Sequence, residues 1–303
     1  MGLAAAVAVV WGLCFVLIQA SLPSPAPLLL AALRALIGGG ILAVWLAGSR
    51  WRRRARRRGA PSVVPDPGRP GLPPLPLLVP LAIANAVLAL GAMYLAAGQA
   101  EAAVASILAG GQPLVLAVAG WALFGERLSE RAIAGLAIAM SGVVLVAITS
   151  SGTTSLDGVA LALLAAAAPA AGTVLMRKVA PTIDLLQTTS AQFLVGGLIL
   201  AGASALLEPW GAISWSAGSA MSLLILGVVG TGLAYVAWFW LLARASLVRL
   251  GAALFLVPVV GVAAAVVVGD RPAPVALLGI AAVLVGVWIV SAAEPSPRLG
   301  DGA

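Results

Sequence analysis

The sequence predicts an all-α polytopic membrane protein: ten transmembrane helices forming two inverted five-helix repeats, with both termini cytoplasmic. Three observations predict it. Apolar runs of membrane-spanning length recur along the whole chain, basic residues collect in alternate loops, and the loop charges of the first half reverse in the second. Hydrophobic residues make up 62% of the chain and charged residues 9%, which excludes an ordinary soluble domain.

A helix needs about 20 apolar residues to cross the hydrocarbon core. Such runs lie at Leu3 to Ala20, Pro27 to Gly48, Pro76 to Gly98, Ala102 to Phe124, Ala132 to Thr149, Asp157 to Met176, Leu185 to Leu207, Ser219 to Ala243, Arg249 to Val268 and Ala273 to Ala292. Backbone groups in lipid must pair inside their own segment, and the loops do not suit the alternating strands of a β-barrel, so each run is read as a helix.

Taken in order, the first run has no basic residue before Leu3 and no clean small-residue cleavage site after it, so it reads as a span rather than a signal peptide. It holds the single cysteine, Cys14, which excludes a disulfide framework. Segment two carries Arg34 inside the span. Segment three places Asn85, Ala92, Ala96 and Gln99 on one helical face. In segment four, Gly110 and Gly111 loosen the turn before Gln112-Pro113, and the proline leaves a carbonyl one turn earlier without its donor. Pro169 interrupts segment six, Thr231, Tyr235 and Trp238 share a face of segment eight, and Pro258 takes the place of Pro113 in segment nine.

Orientation follows from basic residues, which favour the cytoplasmic side. Arg50, Arg52, Arg53, Arg54, Arg56, Arg57, Arg58 and Arg69 crowd the loop after segment two and set it inside. Arg127, Arg131, Arg177, Lys178, Arg244, Arg249 and Arg298 then fall on the same side, with Arg34 and Arg271 the exceptions. Five spans per unit turn the second copy upside down, the plan of many secondary transporters. Gly125, Gly135 and Gly142 each have a glycine partner 144 positions later, and Pro113 pairs with Pro258 after a one-residue gap. The expected organisation is a first repeat over 1–150, with an Arg-rich cytoplasmic loop over 50–75, a second repeat over 151–293 and a cytoplasmic tail over 294–303.

Several landmarks carry a family resemblance: Trp11-Gly12 followed by Phe15-Val16, Leu33-Arg34, Gln112-Pro113 leading to Gly125-Glu126-Arg127-Leu128-Ser129, and Tyr235 and Trp238 before Ala243-Arg244-Ala245-Ser246. In this order the chain resembles the EamA-like family of the drug/metabolite transporter superfamily, apart from the Arg-rich loop and the tail. The resemblance implies a ten-helix carrier of small metabolites, often an exporter of amino acids or related compounds. Two departures stand out. Gly269-Asp270-Arg271-Pro272 replaces a second Gly-Glu-Arg turn, and Val257 precedes Pro258 where many members carry a glutamate.

Polar side chains inside spans tend to face a bundle interior or a wet cavity. The candidate substrate-binding residues are Trp11, Arg34, Asn85, Gln112, Tyr235 and Trp238. Bundle packing competes as the role of Asn85 and the aromatic pair, and a structural role competes for Arg34. An aromatic wall opposite amides suits a neutral or zwitterionic solute with an apolar part. The expected function is therefore a plasma (inner) membrane transporter exporting such metabolites by alternating access. Passive facilitation or drug-type efflux is the alternative reading.

A membrane-embedded enzyme on lipid-linked substrates would need a catalytic constellation. The chain has no histidine, and neither clustered mid-span carboxylates nor a base beside Cys14 is visible, so no enzyme, metal or cofactor is expected. The Arg50 to Arg58 cluster adjoins a span, where anionic lipid headgroups rather than nucleic acid are the expected partner. Glu101, Asp157, Glu208 and Asp270 are expected at helix caps or the solvated surface.

Overall fold

The apolar runs fold as helices. The computed structural model describes residues 2–21, 26–57, 73–124, 129–149, 154–210, 215–244, 254, 256–269 and 274–292, and no strand occurs among them. In chain order the α-helices are α1 Gly2–Gly12, α2 Cys14–Ser21, α3 Pro27–Arg57, α4 Leu75–Ala82, α5 Ala89–Ala97, α6 Ala102–Ala109, α7 Gln112–Phe124, α8 Glu130–Thr149, α9 Leu156–Val179, α10 Leu185–Leu207, α11 Ala217–Gly227, α12 Ala234–Leu242, α13 Leu256–Val267 and α14 Pro274–Ala292. Seven helical stretches among the described residues are long and apolar enough to cross a membrane, and α13 is a shorter apolar helix.

Two π-helical turns interrupt otherwise continuous spans: Ile83–Leu88 joins α4 to α5, and Val228–Leu233 joins α11 to α12. The two turns lie 145 residues apart and have the same length of six residues. A π turn adds a residue to the helical circuit and rotates everything beyond it, which is why such turns recur at functional sites.

The helix ends follow ordinary capping chemistry. The Ser155 and Asp184 side chains accept from the backbone N–H groups of Gly158 and Gln187, and Ser216 forms a reciprocal capping box with Ser219. Asp157 in the first turn of α9 and Arg177 and Lys178 in its last turn complement the helix dipole. Helix α3 does not stop at Gly48 as the apolar run suggests; it continues as helix through Arg57. Arginine is a good helix former, and basic residues suit a helix C-terminus, so charge ends the apolar span without ending the helix. The Gly125 to Leu128 turn, Arg58, Arg69, Arg249, the Asp270 to Pro272 turn and the 294–303 tail lie outside the described residues.

Helices from the two halves pack against one another in reciprocal pairs. Helix α3 packs on α10, and α8 on α14. A methyl group on Gly39 would strike the Ser190 carbonyl and Leu194, while one on Gly197 would strike Leu36 and the Ala32 carbonyl. Likewise Gly142 lies against the Gly279 carbonyl and Val283, and Gly286 against the Gly135 carbonyl and Ala139. Two of the three glycine pairs matched in sequence at a 144-residue spacing, Gly135 with Gly279 and Gly142 with Gly286, thus pack across one another. Where lipid offers helices no hydrophobic drive to associate, such close backbone approach supplies the van der Waals contact.

Apolar side chains also cover the outside: Trp45, Trp121, Leu198, Leu206, Leu278 and Trp288 are all exposed. An apolar exterior of this extent fits a hydrocarbon surround.

Candidate functional site

A break in the fourth apolar run sets one wall of the site. Helix α6 ends at Ala109, Gly110 and Gly111 turn, and α7 starts at Gln112-Pro113. The Gly110 N–H donates to the Ser106 carbonyl at 2.8 Å, and the Gly111 N–H to the Leu108 carbonyl at 3.1 Å. Pro113 has no N–H to give the Ala109 carbonyl. Glycine is required at 110, because a Cβ there would lie 2.8 Å from the Pro258 ring of α13.

Beside this break lies a partly open cavity of about 50 Å³. The first half contributes Trp11, Phe15, Arg34, Met93, Gln112 and Pro113, and the second Pro169, Tyr235, Leu254 and Val257. Its wall is mainly apolar. Trp11 stacks obliquely on Tyr235 at 5.2 Å and on Trp238 at 5.4 Å between ring centroids, and Phe193 meets Tyr235 edge-on at 4.7 Å. The Trp11 indole N–H donates to the Gly230 carbonyl at 3.2 Å, so the aromatic cluster is tied to the second π turn.

Arg34 is the charged member. It is 1% exposed, its Nε donates to Thr231 Oγ1 at 2.9 Å, and its Nη2 to Cys14 Sγ at 3.4 Å. Its Nη1 is buried without a hydrogen-bond partner, as is Gln112 Nε2. No ion pair to Arg34 occurs among the described residues.

Four of the six residues expected at a substrate site, Trp11, Arg34, Gln112 and Tyr235, line the cavity. Asn85 and Trp238 are not among its lining residues, though Trp238 stacks on Trp11, which does line it. Asn85 Nδ2 donates to Gln192 Oε1 at 3.0 Å, and its amide packs on Gly172, where any Cβ would collide with it. Fully buried Trp238 donates from Nε1 to Thr173 Oγ1 at 3.2 Å. Asn85 sits inside the first π turn, so the regular helical face drawn from Asn85 to Gln99 does not hold. Gln99 joins a helix junction instead: its carbonyl accepts from the Ser155 N–H at 2.9 Å, and its side-chain oxygen accepts from Ser155 Oγ at 3.2 Å.

Gln192 is the residue that sequence reasoning missed. The cue was present, since Thr188, Thr189, Ser190 and Gln192 form a polar cluster in an otherwise apolar run, and all four are buried. Arg34 and Gln192 are 158 residues apart, the same spacing as the reciprocal Gly39 and Gly197. Each reaches a π turn: Arg34 the second, at Thr231, and Gln192 the first, at Asn85. Glu208 caps a neighbour rather than facing solvent, accepting from the N–H groups of Leu28 at 2.6 Å and Leu29 at 2.9 Å at the start of α3.

Comparison with known proteins agrees with a membrane carrier. The profile of the EamA-like transporter family matches residues 1–148 and 156–292. A probable amino-acid metabolite efflux pump of Salmonella typhimurium is 31% identical over 301 residues, spanning 95% of this chain and 93% of that protein. An uncharacterized transporter of Bacillus subtilis is 25% identical over 285 residues, spanning 93% of this chain and 88% of that protein. A solved crystal structure superposes with a TM-score of 0.67 at 22% identity, covering 95% of both chains, and so shares the fold.

Proposed function

The chain belongs to the EamA-like transporter family and is a multi-pass membrane transporter rather than an enzyme, and from that premise we propose that it exports small neutral or zwitterionic metabolites, of the amino-acid class, by alternating access. The observation that carries this reading is the cavity, walled by both halves and bordered by the broken helix at Gly110 to Pro113. The relatives named as probable amino-acid metabolite efflux pumps support the direction and the solute class. In this reading ten spans form two inverted repeats, 1–150 and 151–293, with both termini and the 294–303 tail in the cytoplasm of a plasma-membrane protein. The Arg-rich segment contacts anionic headgroups.

Reciprocal packing supports the repeat. The π turns fall 145 residues apart, α3 packs on α10 and α8 on α14, and α5 packs on α9 as α12 does on α1. Two halves that meet through matched contacts can rock about the cavity they share.

Solute counterflow in proteoliposomes tests the proposal, with labelled neutral amino acids as the panel. Exchange lost in a Gln112→Ala, Tyr235→Ala double variant is the expected result. Unchanged exchange in that variant at equal protein level would remove the cavity from the transport path. No carboxylate is among the described residues that line the cavity, which favours facilitated movement down a gradient as the second reading on energetics. An imposed pH gradient that drives accumulation would reject that second reading.

A further inference from the structure

We propose that the cavity recognises its solute by the carboxylate, through Arg34 Nη1 and Gln112 Nε2, and that the amino group is dispensable, so that a zwitterionic apolar amino acid and the matching monocarboxylate bind alike. This rests on the carrier reading above and names the chemistry of its site.

The argument starts from an unbalanced charge. Arginine stays protonated in proteins, and an unpaired cation in a water-poor interior carries a desolvation cost of several kcal/mol. Arg34 has only a hydroxyl and a thiol as partners, both neutral acceptors, and no ion pair among the described residues. Those two contacts fix Nε and Nη2 and hold the guanidinium plane, leaving Nη1 buried with its donors unspent. Buried polar groups normally find partners, so an orphan on a cavity-lining cation marks where an anion fits.

One further feature lies on the same cavity: Gln112 contributes a second buried donor nitrogen without a partner. The end of α6 at Ala109 and the start of α7 at Gln112 meet here, so their opposite dipole ends offset each other and the side chains decide the charge preference. Guanidinium and amide together favour a carboxylate over a neutral group.

The rest of the wall decides what the carboxylate is attached to. Trp11, Phe15, Leu90, Met93, Leu254 and Val257 offer an apolar surface for a hydrocarbon or aromatic body. Among the described residues no acidic side chain lines the cavity to meet an ammonium group; the faces of Trp11 and Tyr235 tolerate one by cation–π attraction without requiring it. A second carboxylate would enter an apolar wall unpaired, so dicarboxylates are disfavoured.

The test is equilibrium binding of labelled 4-methylpentanoate, the des-amino form of leucine, to the purified full chain in lipid nanodiscs. Leucine is expected to compete within about threefold of unlabelled 4-methylpentanoate, with leucinamide and succinate at least about tenfold weaker, as loss of one charge-assisted contact implies. Arg34→Gln is expected to weaken binding at least about tenfold. Gln112→Glu places an internal carboxylate beside the site and is expected to do the same, which keeps the test decisive if the Arg34 variant fails to fold. Leucinamide competing as well as leucine would overturn the proposal, as would no saturable binding to folded protein or wild-type binding by Gln112→Glu. Counterflow of leucinamide with carboxylates inert would overturn it while leaving the carrier reading intact; failure of all counterflow would remove both.

Discussion

Arg34 Nε donates to Thr231 Oγ1 across 2.9 Å and 197 residues of chain, joining α3 to the π turn between α11 and α12. The threonine hydroxyl is the only oxygen acceptor this guanidinium has among the described residues. Thr231→Val keeps the shape and removes the acceptor. A drop in stability of about 1–3 kcal/mol is expected, from a buried donor left unmatched, with Thr231→Ser close to the parent. Thermal unfolding of the purified variants checks this; equal midpoints for Val and Ser would show that the contact contributes nothing.

Gly172 of α9 makes room for the Asn85 amide, and any Cβ there would collide with it. Gly172→Ala is expected to destabilise by about 1–3 kcal/mol through overpacking. Adding Asn85→Ala to that variant is expected to recover part of the loss, a non-additivity of about 0.5 kcal/mol or more between contacting residues. Strict additivity in thermal midpoints would mean that the clash is absorbed elsewhere.

Glu208 supplies both carboxylate oxygens to the first N–H groups of α3 and also accepts from Ser204 Oγ at 2.5 Å. Glu208→Gln keeps one acceptor oxygen and removes the charge from a helix N-terminus. The expected cost is about 0.3–2 kcal/mol, the range for a carboxylate interacting with the dipole. Amide hydrogen exchange at Leu28 and Leu29 reports it locally, and unaltered protection would rule the cap out.

Trp11 has two separable roles, since its ring stacks on Tyr235 and its indole N–H donates to the Gly230 carbonyl. Trp11→Phe removes the donor while keeping a smaller aromatic ring in the wall, and the lost hydrogen bond is expected to cost about 0.5–1.5 kcal/mol of stability with counterflow retained. Trp11→Ala removes the wall and is expected to abolish counterflow at comparable protein level. Loss of exchange in both variants would show that transport needs the whole indole rather than any aromatic ring.

Membrane character and some helix ends were legible because both depend on runs of like residues. The apolar segments from Pro27 and from Leu185 to Leu207 begin or end where the helices do. The broken fourth run was legible from Gly110, Gly111 and Pro113, whose backbone chemistry acts locally. The π turns were not. The residues of Ile83 to Leu88 and Val228 to Leu233 carry no pattern that separates a π turn from an α turn. Once that turn rotates the helix, face assignments such as Asn85 with Gln99 fail, and the partner of Asn85 turns out to be Gln192. Arg34 could be singled out by charge, whereas its Thr231 and Cys14 contacts needed the folded arrangement.

Helices α8 and α14 close the two halves by packing glycine against backbone: Gly142 on Gly279 and Gly286 on Gly135. With α3 on α10, this means the covalent link between Thr149 and Thr154 is one of many ties joining the halves. Under the proposed two-repeat organisation the protein is, in assembly terms, a dimer that happens to share a chain. Severed at that link and produced as two separate polypeptides, the halves are expected to find each other in the bilayer and restore counterflow. Neither fragment should purify alone with the stability of the pair.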